Sequence, residues 1–511
     1  MQAEQVQRIK WGEPHPAAVG FAVFVASVLL LAVIQFATPA LAGTDGYYHI
    51  KVAQLMRLEG LRLDFRWLPL SILDAASYYD HHFLWHAFMA LFIPDAAAAT
   101  PAALITAAKL ASVIMPAAAF TAIWWALRGA EVRWAWLWAL GLFAVSDAFL
   151  FRMSMPRAQS GSLLVLALAL GLLWRERYVW LLPLGFFYVW LYNAFPLLLL
   201  VVGAHLAALL IREGRLAWQP LMFALGGIAL GLLVNPYFPQ NLEFIARHLL
   251  PKLLDATAVR VGNEWYPYET WTLAENSGMA LLAMVGGTAA LAWRGERIDA
   301  KTLAAFGLAV ATGVMLFRSR RFVEYFPAFA LIFAALSAGP LLVQWFEGWP
   351  ASWRRARLLV PLGLAALIGV MGVLSIYEAR GALEGAKPAE TYADASAWLV
   401  ENSQPGSLVF QTDWDDFPRL FFYNTHNIYT IGLDVTYMTQ YDEALYDEWA
   451  AITRGDVEEP GAIIAEHFGA SYVISDLRHG GFMRQAEHDP WLHEVYRDEY
   501  AVIYSVAQPN S

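Results

Sequence analysis

The feature that most constrains this chain is a succession of apolar runs, each about as long as a bilayer is thick. A hydrocarbon core of about 30 Å takes about 20 residues of helix to cross. Runs of that kind lie at 17–38, 102–127, 134–151, 217–235, 302–317, 322–345 and 358–377, with shorter ones at 161–174, 178–192, 195–211 and 279–293. Lipid offers no partner for backbone N–H and C=O groups, so such runs are read as helices. The expected fold is a polytopic α-helical membrane protein of about 11 spans. Composition points the same way, with 59% hydrophobic residues, only 15% charged ones and a mean hydropathy of +0.44. A soluble domain carries about 25% charged residues. The absence of cysteine excludes disulfides, thiolate metal sites and cysteine nucleophiles. A net charge of −10 argues against nucleic acid as a partner.

The charge is unevenly placed. From Glu378 onward there are 7 basic and 23 acidic residues, whereas residues 1–377 hold 27 basic and 21 acidic ones. This divides the chain into a membrane domain, 1–377, and an acidic water-soluble domain, 378–511. Cytoplasmic loops are marked by Lys and Arg. Arg8/Lys10, Arg128/Arg133, Arg175/Arg177, Arg212/Arg215, Arg294/Arg297/Lys301 and Arg354/Arg355/Arg357 fall on one side if the spans alternate. The N-terminus is therefore expected in the cytoplasm and the C-terminal domain outside a prokaryotic inner or plasma membrane. The first run is expected to be an uncleaved anchor. The outer face then carries the long loops 40–101 and 236–278. Within the first, Phe83–Ile93 reads as a short helix lying in the interface, with Trp67 and Trp85 at headgroup level. In the C-terminal part, Tyr392–Glu401 reads as a helix. Ser407–Gln411, Ile428–Ile431, Ser471–Ser475 and Tyr500–Val506 read as strands of a small α/β domain.

The residues that could carry chemistry all fall on the outer side. Asp45, in Gly43-Thr44-Asp45-Gly46-Tyr47-Tyr48-His49, follows the first run and suits either a hard-cation ligand or a helix cap. Asp80-His81-His82, with His86 one helical turn beyond His82, suits a metal or a general base, or else an interfacial helix with its polar side in water. Glu264 and Glu269 lie among Trp265, Tyr266, Tyr268 and Trp271, a composition suited to a sugar or phosphate site or to an aromatic belt. Arg152, Arg157, Arg320 and Arg321 break the positive-inside pattern. Guanidinium forks bind diphosphate well; lipid headgroups or Asp45, Asp147 and Glu324 are their other candidate partners. Asp413-Trp414-Asp415-Asp416 follows a strand and reads as an exposed functional loop or an acidic turn.

In that order, these features resemble the GT-C class of membrane glycosyltransferases, and more closely the catalytic subunits of oligosaccharyltransferases. Asp45 matches the aspartate of that family's first outer loop. Glu264-Trp265-Tyr266-Pro267 with Trp271 is similar to its later outer loop, and Arg320-Arg321-Phe322 with Pro327 to the turn opening a later span. Trp414-Asp415 stands where the family has Trp-Trp-Asp-Tyr-Gly. The loop Arg152–Ser160 lacks the acidic pair the family carries there; Asp147, Asp80 or a histidine from 81–82 are the available substitutes.

The resemblance implies a sugar or oligosaccharide donor carried on polyprenyl phosphate or diphosphate in the membrane, and an outer acceptor that is a protein, lipid or glycan. It implies catalytic Asp45 and Glu264, a divalent Mg²⁺ or Mn²⁺ held by them with Asp80 and His81, and a donor phosphate on Arg152, Arg157, Arg320 and Arg321. Acceptor or sugar contacts fall to Tyr48, His49, Tyr266, Trp414, Asp415 and Asp416. The competing class is a transporter or flippase of lipid-linked sugars, which would share the arginines and aromatics but is expected to show inverted repeats.

Overall fold

The computed structural model describes residues 15–250, 263–295, 298–348 and 359–507. Every apolar run becomes helical. The first part contains α1 (Pro16–Gln35), α2 (Asp45–Glu59), α3 (Phe83–Ala90), α4 (Pro101–Gly129), α5 (Ala135–Leu140), α6 (Asp147–Ser154), α7 (Gln159–Trp174), α8 (Leu181–Leu191), α9 (Leu197–Glu213) and α10 (Gln219–Leu233). There follow α11 (Gln240–Phe244), α12 (Thr270–Arg294), α13 (Ala300–Arg318), α14 (Phe326–Gly348) and α15 (Leu359–Glu384). By length and apolarity, five helices among the described residues can cross a membrane, or six if a bent pair counts as one span. The expected count of about 11 is therefore not reached on that measure. The run 134–151 is the bent pair: it breaks between Ala144 and Asp147 and turns by 92°. Ser146 caps the second piece, its hydroxyl accepting from Phe149 N–H at 3.0 Å. The helices α7 and α10 are apolar but only 16 and 15 residues long.

The α8–α10 contact shows how tightly the helices are packed. A Cβ on Gly227 would lie 2.1 Å from the Leu182 carbonyl oxygen, a backbone atom that cannot step aside. Its neighbour Gly226 meets nothing nearer than a Leu182 methyl at 4.0 Å.

The C-terminal part carries a five-stranded sheet: β1 (Leu408–Gln411), β2 (Ile428–Tyr429), β3 (Tyr472–Asp476), β4 (Leu492–Arg497) and β5 (Ala501–Val506), in the order β2-β1-β3-β5-β4. The first three are mutually parallel, and β5 runs antiparallel to β3 and β4. Helices α16 (Ala393–Asn402) and α17 (Phe417–Tyr423) cover it. Strand β4 was not expected. It is an edge strand with one buried residue, Leu492, and an irregular register between Glu494 and Tyr496, so its sequence shows no clean alternation.

Loop 40–101 departs most from expectation. The helix α3 and the loop's tryptophans are buried in protein: Trp85 and His86 are 0% exposed and Trp67 1%. One apolar cluster runs from α2 through residues 63–83 into Tyr392, Val409, Phe417 and Phe421 of the outer domain. Trp67 donates its indole N–H to the Thr425 carbonyl at 2.9 Å and meets the Phe421 ring edge-on at 5.0 Å. The loop is apolar because it is the seat of the soluble domain.

Replacing Gly227 by valine should force α8 and α10 apart and lower the apparent Tm and monodisperse yield in detergent, by roughly the 1–3 kcal/mol typical of overpacking or more. Gly226→Ala should leave both close to the wild-type values.

Candidate active site

The site is built where the turn after α6 meets the start of α2. Met155 and Pro156 leave the helix in extended backbone, and a Cβ on Gly46 would lie 2.8 Å from the Pro156 ring. This close approach brings Asp45, at the first position of α2, to Arg157: Nε and Oδ2 are 3.3 Å apart. Thr44 is the cap residue but makes no capping bond; its hydroxyl donates instead to Asp415 Oδ1 at 2.8 Å, tying the membrane part to the outer domain.

Glu264 lies on a short turn, Asn263–Trp265, held by Ser319, whose hydroxyl donates to the Glu264 carbonyl at 3.0 Å. Its carboxylate is gripped by three guanidinium groups. Arg321 reaches Oε1 at 2.6 Å, while Arg152 and Arg157 reach Oε2 at 3.0 and 3.3 Å. Arg321 also donates to the Tyr192 hydroxyl at 2.5 Å. Arg152 is shared with Glu324, which is 1% exposed and accepts its Nε at 2.9 Å. Burial alone would push the Glu264 carboxyl up, but Arg321, Arg157 and Arg152 hold it well below the usual carboxylate range. Burial likewise opposes the charge on Arg157, yet Glu264 and Asp45 raise it further above its ordinary value.

These groups face a cavity of about 620 Å³ that residues of the C-terminal domain also line. Of the residues to which the resemblance gives a role, Asp45, Tyr48, His49, His81, Arg152, Arg157, Glu264, Arg321, Trp414 and Asp415 line it. Four do not. Asp80 lies beneath it, with one oxygen accepting the His82 backbone N–H at 3.0 Å and the other the His86 ring at 2.7 Å, so it offers nothing to a metal in the cavity. Arg320 turns away to the Pro267 carbonyl at 3.1 Å and over the Tyr268 ring, so it pins the loop instead of facing a phosphate. Tyr266 is 49% exposed outside the cavity, with its carbonyl taken by the Arg320 N–H at 3.0 Å. Asp416 is turned into the outer domain, paired with Lys387 at 3.1 Å.

Tyr192, Tyr325, His248 and Tyr437 also line the cavity and were missed. Tyr192 ends an apolar run and Tyr325 opens the next helix, so composition hides them. Only the arginine that Tyr192 binds could have pointed to it.

A divalent ion shared by Asp45 and Glu264 does not fit this donor set. Arg157 stands between the two carboxylates, and both Glu264 oxygens already accept from guanidinium. The nearest positive charge to both carboxylates is therefore guanidinium, which occupies the positions a shared cation would need. Among the described residues, three carboxylates with ligand atoms within 4.8 Å of one another occur at Asp413, Asp416 and Asp476. There Lys387, Arg478 and His479 already supply the countercharge.

No family model matches the chain, and no curated protein matches it in sequence. Solved structures do match it in shape. An apo oligosaccharyltransferase from Archaeoglobus fulgidus superposes with a TM-score of 0.66 at 14% identity, covering 96% of this chain and 75% of that one. ArnT from Cupriavidus metallidurans, solved with undecaprenyl phosphate, gives 0.58 at 17% identity over 96% and 100%. The mycobacterial arabinofuranosyltransferase AftD gives 0.58 at 15% identity over 98% and 40%. The fold is that of the GT-C glycosyltransferases. Other structures of the Archaeoglobus enzyme hold an inhibitory peptide with dolichol-phosphate, or zinc with sulfate. In this GT-C fold the cavity lies between the membrane helices and the C-terminal domain, and both contribute walls.

Asp415 links those walls. Burial, with Asp45 nearby, pushes its carboxyl up to about 7, partly offset by the Thr44 hydroxyl. A raised folded-state value means stability present below the unfolded value of about 4 and lost as pH rises through about 7. Asp415→Asn removes that loss. Its apparent Tm should exceed the wild-type value at pH 8, reflecting a stability gain on the order of 1–3 kcal/mol, and should match it near pH 4. A lower Tm at pH 8 would contradict the assignment.

Proposed function

We propose that the chain is a membrane glycosyltransferase that moves a sugar or oligosaccharide from a polyprenyl-phosphate or diphosphate carrier to an acceptor on the outer face. The observation that carries this reading is the convergence of Arg152, Arg157 and Arg321 in one cavity at the edge of the membrane helices. In this reading the donor phosphate enters from the membrane and takes guanidinium contacts that Glu264 holds now. As the anomeric C–O bond breaks, its electron pair passes to the phosphate oxygen, and the arginines stabilise that charge in a site with little water. Asp45 and Glu264 are the acidic members. They orient Arg157 and Arg321 while the site is empty of donor and balance their charge.

Tyr48, His49, Trp414 and Asp415 form the side from which an acceptor would approach. The fold likeness to lipid-linked sugar transferases supports this reading, and no match supports a transporter. Dependence on Mg²⁺ or Mn²⁺ would require Arg157 to release a carboxylate first.

The test is release of polyprenyl phosphate from lipid-linked sugars by purified protein, with and without EDTA. A transporter would release none. Arg321→Ala and Arg157→Ala should each lower turnover by about 10² or more, as when one electrostatic transition-state contact is lost. Arg320→Ala should stay within about tenfold of wild type, since Arg320 only braces the loop. Arg152 is the poorer probe, because its loss leaves Glu324 buried and uncompensated at a cost of about 3–5 kcal/mol. Turnover that EDTA abolishes and Mg²⁺ or Mn²⁺ restores would show that a cation, and not the arginines alone, balances the phosphate.

A further inference from the structure

Beneath the arginine cluster runs a buried chain of titratable groups that phosphate binding does not use. Asp80 Oδ2 lies 2.7 Å from His86 Nδ1, and His86 Nε2 lies 2.7 Å from His49 Nδ1. Asp80 is 2% exposed and His86 0%. His49, on α2, is the member that reaches the cavity wall. Its ring packs against His82 and Tyr48.

In the arrangement the proposal uses, Asp80 accepts from His86 Nδ1–H and His86 Nε2 is the acceptor toward His49. The contact to His49 can be filled only if His49 Nδ1 carries a hydrogen and donates it. That leaves His49 Nε2 with its lone pair, and it takes no hydrogen bond from any described residue. The aspartate thus sets two tautomers in series, ending at a histidine in the cavity wall. The charged and titratable groups around His49 are Asp45 and Tyr48 on its own helix, His81, His82 and His86 from the 80–86 segment, and Arg157 from the turn after α6. Burial first, then His86, Arg157 and His81, hold the His49 imidazole well below its ordinary range, which keeps it neutral.

We propose that His49 is the general base toward the acceptor, with His86 and Asp80 as positioning residues, and that the acceptor is an alcohol, such as a sugar or lipid hydroxyl, and not a side-chain amide. This rests on the donor reading above. The acceptor oxygen forms a bond to the anomeric carbon as the bond from that carbon to the phosphate oxygen breaks, and the electron pair leaves with the phosphate. The acceptor proton passes to His49 Nε2. Asp80 stabilises the resulting imidazolium through His86. A hydroxyl becomes acidic as it bonds to carbon and needs such a base. An amide nitrogen, with its lone pair delocalised, gains little from a base as weak as imidazole.

Two measurements test this. The first needs no substrate. In ¹⁵N-histidine NMR spectra of the detergent-solubilised chain at pH 7, assigned with His49→Gln, His49 should appear as the neutral Nδ1–H tautomer. An imidazolium or an Nε2–H tautomer would overturn the proposal. The second uses lipid-linked sugars extracted from the host membrane as donor, with octyl glucoside or an asparagine-containing peptide as acceptor. Wild type should transfer to the glucoside and not to the peptide. His49→Ala should lose about 10²–10⁴ in kcat, as expected for a general base, with KM for the donor unchanged and turnover recovered by added imidazole. Asp80→Asn should shift the acid limb of the pH profile. If wild type releases no polyprenyl phosphate, the donor reading falls and this proposal with it. If wild type releases it and His49→Ala transfers equally well, or if the peptide is the better acceptor, the proposal alone falls.

Discussion

Three guanidinium groups on the carboxylate of Glu264 are the interaction on which the outer half of this molecule turns. Each arginine comes from a different piece of chain: Arg152 from the end of α6, Arg157 from the turn beyond it, and Arg321 from the turn opening α14. Glu264 comes from a fourth. Buried charges of one sign cannot be gathered without an opposite charge, because the desolvation cost of each is several kcal/mol. Glu264, Glu324 and Asp45 supply that charge, and the cluster is formally neutral. Guanidinium forks take carboxylate and phosphate oxygens alike, which is why the proposed donor phosphate would compete with Glu264 for these arginines.

The same economy explains the first outer loop. Its aromatic and apolar residues would be a liability in water and lie too deep for the membrane surface. They form the floor on which the sheet domain sits, through Trp67, Tyr48 and Phe421. Residues 43–49 both line the cavity and carry the Thr44–Asp415 contact to the C-terminal domain.

Much of this was legible in the sequence, for physical reasons. Apolar runs report their helices directly, and arginines on the outer side had to have an anionic partner. Asp45, Glu264, Arg157 and Arg321 each had a local explanation as well, and it was the family resemblance that placed them in one site. The rest was hidden. Whether an arginine faces a cavity or braces a loop depends on one residue of register, which is why Arg320 and Arg321 part company. The pairing of Glu264 with arginine in place of metal was invisible, because sequence order does not reveal that Arg157 stands between it and Asp45. Asp80 and His86 could be seen as a cluster, but their connection to His49 spans 37 residues and needed the packing of α2 on α3. The short apolar runs leave the span count open, since a helix of 15 or 16 residues passes no simple length test for crossing a bilayer.

The account's central claim is that the three arginines form the donor's phosphate site. It is tested most directly by a cryo-EM structure of the chain with a short-chain polyprenyl phosphate. The account predicts the phosphate within hydrogen-bond distance of Arg157 and Arg321, with Glu264 displaced from at least one of them. A phosphate bound elsewhere, with the Glu264 contacts unchanged, would contradict it.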